Sequence, residues 1–198
     1  MIIALSGPSG AGKGYLKERL INRYPFIQEL IWITTRPIRV NESCNNRVSV
    51  SISEFEKLAK ENKIILIQDL YGHRYGIRRD DFLDDSGVKL TELHPSNIKD
   101  ALKINPSIIV IGLIASDLLL LQKRLSMIRK TESDLEIKKR ISMANLEIDI
   151  ILQNKEVVES IFDVSQISEE LIFDQVVGVL APYLVLGGDF HVSTYKSW

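Results

Sequence analysis

The sequence predicts an α/β fold, a parallel sheet flanked by helices on both faces. Three observations carry this reading. Short apolar runs alternate with amphipathic stretches along the chain, the pattern of strand, helix, strand units. The first run, MIIAL, passes through a glycine-rich stretch, GPSGAGKG, into residues 12–23, where Leu16, Leu20 and Ile21 share one helical face. SIIVIGLIA, residues 107–115, is an apolar run of strand length, as expected of a strand covered on both faces.

The remaining elements follow in order. Residues 29–34 read as a strand, and a polar, turn-rich stretch (TTRPIRVNESCNNR) follows. VSVSI, residues 48–52, alternates strictly, as a half-buried strand does. Ser53 is placed to cap a helix over 54–62, with Glu56 at the capping-box position. KIILIQDL predicts a strand, followed by a glycine-containing turn in YGHRYG. A helix over 78–84 ends near Gly87, GVKLTELH is a strand, and 97–104 is a helix. Residues 116–128 and 132–153 are helical, with Thr131 or Ser133 as caps, and a last helix covers 168–180. The tail LGGDFHVSTYKSW is expected to be frayed or docked on the surface.

A chain of 198 residues suits one domain with room for a small mobile subdomain. The net charge of −1 supplies no global field for nucleic acid or a membrane surface, so anion binding has to be local. One cysteine, Cys44, excludes an intrachain disulfide and a thiolate metal cluster, which fits a reducing compartment. MIIAL has no basic leader and reads as a strand, not a signal peptide, and no apolar run is long enough to span a bilayer. The expectation is a cytoplasmic protein with no nucleic-acid or membrane partner.

Residues 7–13, GPSGAGK, match G-x-x-x-x-G-K, the spacing of a loop that wraps phosphate between a buried strand and a helix. Its glycines let backbone N–H groups converge on one anion, and the helix N-terminus adds partial positive charge. Ser9, Gly10, Ala11, Gly12, Lys13, Gly14 and Tyr15 are therefore the candidate nucleotide-binding residues, with Lys13 reaching the outer phosphates. The bland alternative is a glycine-rich turn. Gly14 stands where a Ser or Thr hydroxyl normally helps hold magnesium, and Tyr15 is a poor substitute. Either the metal is held through water and substrate, or its site has been lost.

Five segments in order resemble the guanylate kinase family over roughly residues 1–180: GPSGAGKG, TTRPIR, SEFEKLAKENKIIL, YGHRYG and LQKRLSMIRKTESDLEIKKRISMANLEI. The resemblance implies a P-loop NTPase-type parallel sheet flanked by helices, with a small acceptor-binding segment near 35–85 and a helical lid near 124–140. The kinase-like domain would cover 1–181 and a tail 182–198. It further implies transfer of the γ-phosphoryl group of ATP, with Mg2+, to a small molecule that already carries a phosphate, by a monomer or homodimer. Arg36 and Arg39 match the family arginines that grip that phosphate, and Tyr75 matches the tyrosine that contacts it. Arg124, Arg129 and Arg140 fall where the family places its transition-state arginines, and with Lys13 they form the candidate catalytic set. Planar guanidinium groups suit that work, because they grip phosphate oxygens in pairs. The bland alternative makes 121–147 a solvated helical pair with alternating charge.

The guanine pocket of the family does not carry over. Its base-contacting positions fall on Trp32, Val48, Leu66 and Ile77, and Leu66 cannot accept from a guanine ring as a carboxylate does. A one-residue slip would bring Gln68 or Asp69 nearer. Glu92 and His94 stand where the family has two acids. Glu92 is a candidate to orient magnesium through water. His94 is a candidate phosphate or proton contact, or a cap of the following helix. His73 and Arg74 are expected on the acceptor side, pointing to a more anionic or sugar-phosphate acceptor. RYGI, residues 74–77, also resembles the ribose 1,5-bisphosphate phosphokinases. The leading expectation is thus a kinase of a phosphorylated small molecule other than GMP. The alternatives are a divergent guanylate kinase, which needs the alignment at Leu66 to be wrong, and a non-catalytic binding module, against which the complete loop weighs.

Overall fold

A computed structural model describes residues 1–38, 46–128 and 133–186. Arg39, Cys44, Arg129 and Thr131, and residues 187–198 of the expected tail, lie outside the described residues.

Strand β1 (Ile2–Ser6) is fully buried at the centre of a five-stranded sheet. The other strands are β2 (Ile27–Glu29), β7 (Val88–Leu93), β8 (Ile109–Ile114) and β9 (Ser160–Asp163), in the order β2-β7-β1-β8-β9. Every neighbouring pair is parallel. Alternation along β1 divides the core. Ile3 and Leu5 join Leu16 and Leu20 of α1 (Lys13–Arg23) and Phe173, Val176 and Leu180 of α7 (Glu169–Leu186). Ile2 and Ala4 join Phe82 of α3 (Arg79–Leu83), Ile98 and Ala101 of α4 (Ile98–Ile104), and Ile151 of α6 (Asp134–Gln153). Helices on both faces leave β1 and β8 no polar side, which is why they read as apolar runs.

A second, four-stranded sheet runs β4 (Arg47–Ser49), β3 (Trp32–Thr34), β6 (His73–Arg78), β5 (Ile64–Leu70). Its β3–β4 pair is parallel and the other two pairs are antiparallel. Helix α2 (Ile52–Lys60) covers one face, with fully buried Phe55 against Ile33 and Ile64. Burying that ring contributes about 1.5–3 kcal/mol. The other face carries Trp32, Ile65, Leu66 and Ile77 into the second core, against the main sheet.

Alternation breaks in β5. Leu66 has φ +52, and the register with β6 shifts between Ile65 and Gln68. Ile65 and Leu66 therefore enter the same core, Ile67 turns outward, and Gln68 and Leu70 come back to the inner face. Such a bulge sets two residues against one and re-aims everything beyond it.

Several expectations need correction. The apolar run 29–34 is two strands in two sheets; the chain crosses between them after Leu30, whose N–H donates to the Leu90 carbonyl (3.0 Å). Strand β4 stops at Ser49, and Ser51, not Ser53, caps α2 by accepting from the Glu54 N–H (3.2 Å). Both serines precede a glutamate by three residues, so the motif alone could not choose. In YGHRYG only Tyr71 and Gly72, both at positive φ, make the turn, and His73 already belongs to β6. Strand β9 was not foreseen. Helix α7 runs through Pro182 to Leu186, six residues past the expected end and into the segment expected as tail. Helix α5 (Leu118–Ile128) and α6 lie where expected, and Ser133 caps α6 with a reciprocal Glu136 capping box.

Gly112 in β8 lets α6 approach the sheet: a Cβ there would stand 2.9 Å from Ile151 Cγ2 and 3.2 Å from Ile161 Cγ1 and Val158 Cγ1. Gly112→Ala is expected to destabilise the fold by about 1–3 kcal/mol, read as a lower urea midpoint. An unchanged midpoint would show that this contact is not close-packed.

Candidate active site

The glycine-rich loop leaves β1 at Gly7 and enters α1 at Lys13. Gly10 and Gly12 take φ +86 and +89, left-handed values that side chains resist. The Ala11 N–H donates to the Pro8 carbonyl (3.2 Å) and its methyl is buried, so Ala11 shapes the loop from within. Helix α1 has no side-chain cap, and its first N–H groups open toward an outer cavity of about 800 Å³. Ser9, Gly10, Gly12, Lys13, Gly14 and Tyr15 all line it. The Tyr15 hydroxyl accepts from Arg19 Nη1 (2.6 Å).

On the other side of the loop lies a central cavity of about 160 Å³. Ser9, Lys13, Arg47 and Glu92 line both cavities. Lys13 Nζ donates to the Gly7 and Pro8 carbonyls (2.7 and 2.9 Å). Burial pushes its ammonium below the ordinary lysine value, opposed by the negative charges of Glu92 and Glu147.

The second sheet supplies one wall through Trp32, Arg36, Arg47, Gln68, Leu70, Tyr71 and Tyr75. Arg36 is buried at the end of β3, with its N–H donating to Thr34 Oγ1 (3.0 Å) and Nη1 to the Pro37 carbonyl (3.2 Å). Tyr75 lines the cavity, and alternation sends its neighbour Arg74 to the opposite face. There Arg74 lies over the Phe55 ring (4.8 Å) and pairs with Asp69 (3.3 Å). Neither His73 nor Arg74 lines the cavity; the pleat accounts for Arg74, whereas His73 shares the face of Tyr75 and lies beyond the lining, beside the turn. Of the four positions matched to guanine contacts, Trp32 alone lines it; Val48 is exposed, and Leu66 and Ile77 are in the core.

Helix α6 supplies the facing wall. Ile137, Arg140, Ala144, Glu147 and Ile151 form its buried stripe at helical spacing. Arg140 lies over the Tyr71 ring (4.0 Å) with Nη1 3.4 Å from Ser9 Oγ. Burial raises the Tyr71 phenol above its ordinary value, opposed by hydrogen bonds from Ser9 and Arg140. Glu147 Oε1 is 3.1 Å from His94 Nε2. His94 lines the cavity, and its Nδ1 accepts from the Ser96 N–H (3.3 Å) at the start of the 3₁₀ turn Pro95–Asn97, the capping alternative of the two offered for it. Tyr71, Glu147 and Arg47 were not singled out from sequence, and Gln68 was named only as the result of a one-residue slip. Two charged residues seven apart within an apolar stripe were the available signal for Glu147.

Arg124 stands apart, lining the outer cavity and paired with Glu169 of α7 (2.9 Å). Among the described residues no group of three or more His, Cys, Asp or Glu could hold a metal ion. Glu92 faces the loop, 4.0 Å from where a Gly14 Cβ would be, and pairs with Lys17 (3.5 Å). Lys17 also holds Glu29 (2.9 Å). This donor set does not fit a metal held mainly by protein, but it fits magnesium carried in on phosphates and met through water by Glu92. No helix of the described residues is long and apolar enough to cross a membrane.

A parallel sheet, a phosphate loop whole through Lys13 after its central strand and cationic side chains around the adjoining cavity define a nucleotide-binding protein of the phosphate-loop class. No family model matches the sequence. Individual relatives do. The chain is 30% identical over 162 residues to the guanylate kinase of Caldanaerobacter subterraneus subsp. tengcongensis, covering 80% of this chain and 78% of that one. It is 28% identical over 155 residues to that of Clostridioides difficile, covering 76% and 75%. With the guanylate kinase of Mesoplasma florum it is 29% identical over 177 residues, 84% of this chain but 59% of that longer protein. The crystal structure of guanylate kinase from Anaplasma phagocytophilum superposes with a TM-score of 0.68 at 20% identity, covering 93% of this chain and 86% of that one, a likeness of fold. The chain belongs to the guanylate kinase family.

The charge on Glu92 also bears on stability. Lys13, Lys17 and Arg47 outweigh its burial and hold its carboxyl below the usual glutamate value. A carboxyl lowered in the folded state gives stability that is present above the unfolded value, near pH ~4.3, and is lost as pH falls through the lower folded value. Glu92→Gln is expected to flatten the acid limb of the stability-versus-pH curve. An unchanged acid limb would show that Glu92 is not coupled to those cations.

Proposed function

We propose that this chain transfers the γ-phosphoryl group of ATP to a nucleoside monophosphate, with GMP the best-supported acceptor. The observation that carries the proposal is the joining of two cavities at the phosphate loop, one lined by loop and α1, the other by Arg36, Tyr75, Arg140 and Lys13. Membership of the guanylate kinase family favours GMP over the non-GMP acceptor that the sequence led us to expect. A second reading, another phosphorylated acceptor, draws on one observation: β3, β5 and β6 contribute no carboxylate to the cavity.

In this mechanism ATP occupies the outer cavity, its phosphates on the loop N–H groups and the N-terminus of α1. Lys13 leaves its two carbonyl partners and turns to the outer phosphates. Arg36 and Tyr75 hold the acceptor phosphate, with Arg39 as a further proposed grip. An acceptor phosphate oxygen attacks the γ-phosphorus, and the bond to the bridging β–γ oxygen breaks. Arg140 reaches the transferring group from α6, where its cation meets charge on the equatorial oxygens. Arg124 and Arg129 would join it from the lid side. Magnesium bound to the ATP phosphates would neutralise part of their charge.

Wild-type protein with ATP, magnesium and GMP is expected to release ADP and GDP in a coupled assay. Lys13→Met and Arg140→Ala should each lower kcat by about 10²–10³-fold, with circular dichroism unchanged. ATP binding without GMP binding at millimolar concentration would transfer support to another phosphorylated acceptor. Absence of ATP binding would point to a non-catalytic binding module.

A further inference from the structure

The bulge in β5 has a chemical result at its far end. It brings the Gln68 side chain, not that of Asp69, to the inner face, across from Tyr75 in the β5–β6 pair and on the same cavity wall as Trp32. Behind Gln68 stands Asn97, the buried last residue of the 3₁₀ turn that follows His94. Asn97 Nδ2 donates to the Leu66 carbonyl (3.0 Å) and to Gln68 Oε1 (3.3 Å). The Leu66 carbonyl can only accept, so the amide nitrogen of Asn97 has to face it. A reversed Gln68 amide would set two N–H groups against each other. Gln68 Oε1 is thereby held toward Asn97, and its Nε2 has no acceptor among the described residues.

The rest of that wall offers little else. The Trp32 indole N–H donates to Thr91 Oγ1 (3.0 Å). The carboxylates of the cavity lie elsewhere: Glu92 pairs with Lys17, and Glu147 pairs with His94. Glu92 lies at the phosphate loop, 4.0 Å from where a Gly14 Cβ would stand, and Glu147 shares the buried stripe of α6 with Arg140.

On the reading that the acceptor is a purine nucleoside monophosphate, we propose that Gln68, oriented by Asn97, is the residue that reads the acceptor base, and that it reads as a hydrogen-bond donor. A donor on this wall meets an exocyclic carbonyl oxygen or an unprotonated ring nitrogen. It has nothing to offer the 2-amino group of guanine, which itself donates. The site then selects a purine by its acceptor atoms and does not distinguish guanine from hypoxanthine.

The test compares kcat/KM for GMP, inosine monophosphate and xanthosine monophosphate, which carry a donor, hydrogen and an acceptor at C2. Wild type is expected to use GMP and inosine monophosphate within about tenfold of each other, and xanthosine monophosphate at least as well. Gln68→Glu turns the donor into a charged acceptor, and should shift the ratio toward GMP by about tenfold or more while xanthosine monophosphate falls. Gln68→Met, which keeps the shape, should lower the xanthosine monophosphate rate without favouring GMP. Asn97→Ala frees the amide to turn and should raise GMP relative to xanthosine monophosphate. The KM for ATP reports that each variant is folded. A wild-type preference for GMP over inosine monophosphate beyond about a hundredfold, or ratios that ignore Gln68→Glu, overturns the inference and leaves the kinase reading standing. If wild type binds ATP but uses none of the three, the purine acceptor reading falls and takes this inference with it.

Discussion

Burial of β1 on both faces is the constraint on which the rest depends. Its five residues are buried, its neighbours on either side are parallel, and each face is closed by helices. A strand held so firmly leaves its C-terminal end no freedom, and the loop that follows starts from a fixed point. The N–H groups at the head of α1 can then converge without further ordering, which is what preorganised anion binding requires. Glu92 and His94, at and just after the end of β7, come to the same edge because β7 is registered against β1, with Glu92 opposite Leu5.

The second sheet solves a different problem. It presents one face to the main body and one to α2, so its strands alternate in destination, with Trp32 inward and Ile33 outward, Tyr75 inward and Arg74 outward. Cations thus reach the cavity from three directions: Lys13 from the loop, Arg36 and Arg47 from this sheet, and Arg140 from α6. Their mutual repulsion is moderated by Glu92 and Glu147, both of which raise the affinity of Lys13 for its proton.

Much of this was legible in the sequence, for physical reasons. The loop motif with its flanking strand and helix fixed the fold class, since spacing and context agree there. Ser133 with Glu136 announced the start of α6. What escaped depends on backbone choices that residue types leave open. IQELIWIT contains no turn signal, so the passage from one sheet to the other at Leu30 was invisible. The residue that β5 sends to the cavity stayed open between Leu66, Gln68 and Asp69, because the bulge that buries Leu66 and brings in Gln68 has no sequence signature. A left-handed Leu66 is rare enough that no sequence rule anticipates it. The face of β6 that carries Arg74 could be known only once its register with β5 was known.

The pairing of Arg124 with Glu169 joins α5 to α7 through one partly exposed contact. Ion pairs so close to solvent are worth at most about 1 kcal/mol. Arg124 therefore rests beside the outer cavity in a berth that costs little to leave. In the proposed mechanism Glu169 would serve as a placeholder, keeping the guanidinium extended and near at hand until a more highly charged anion takes it.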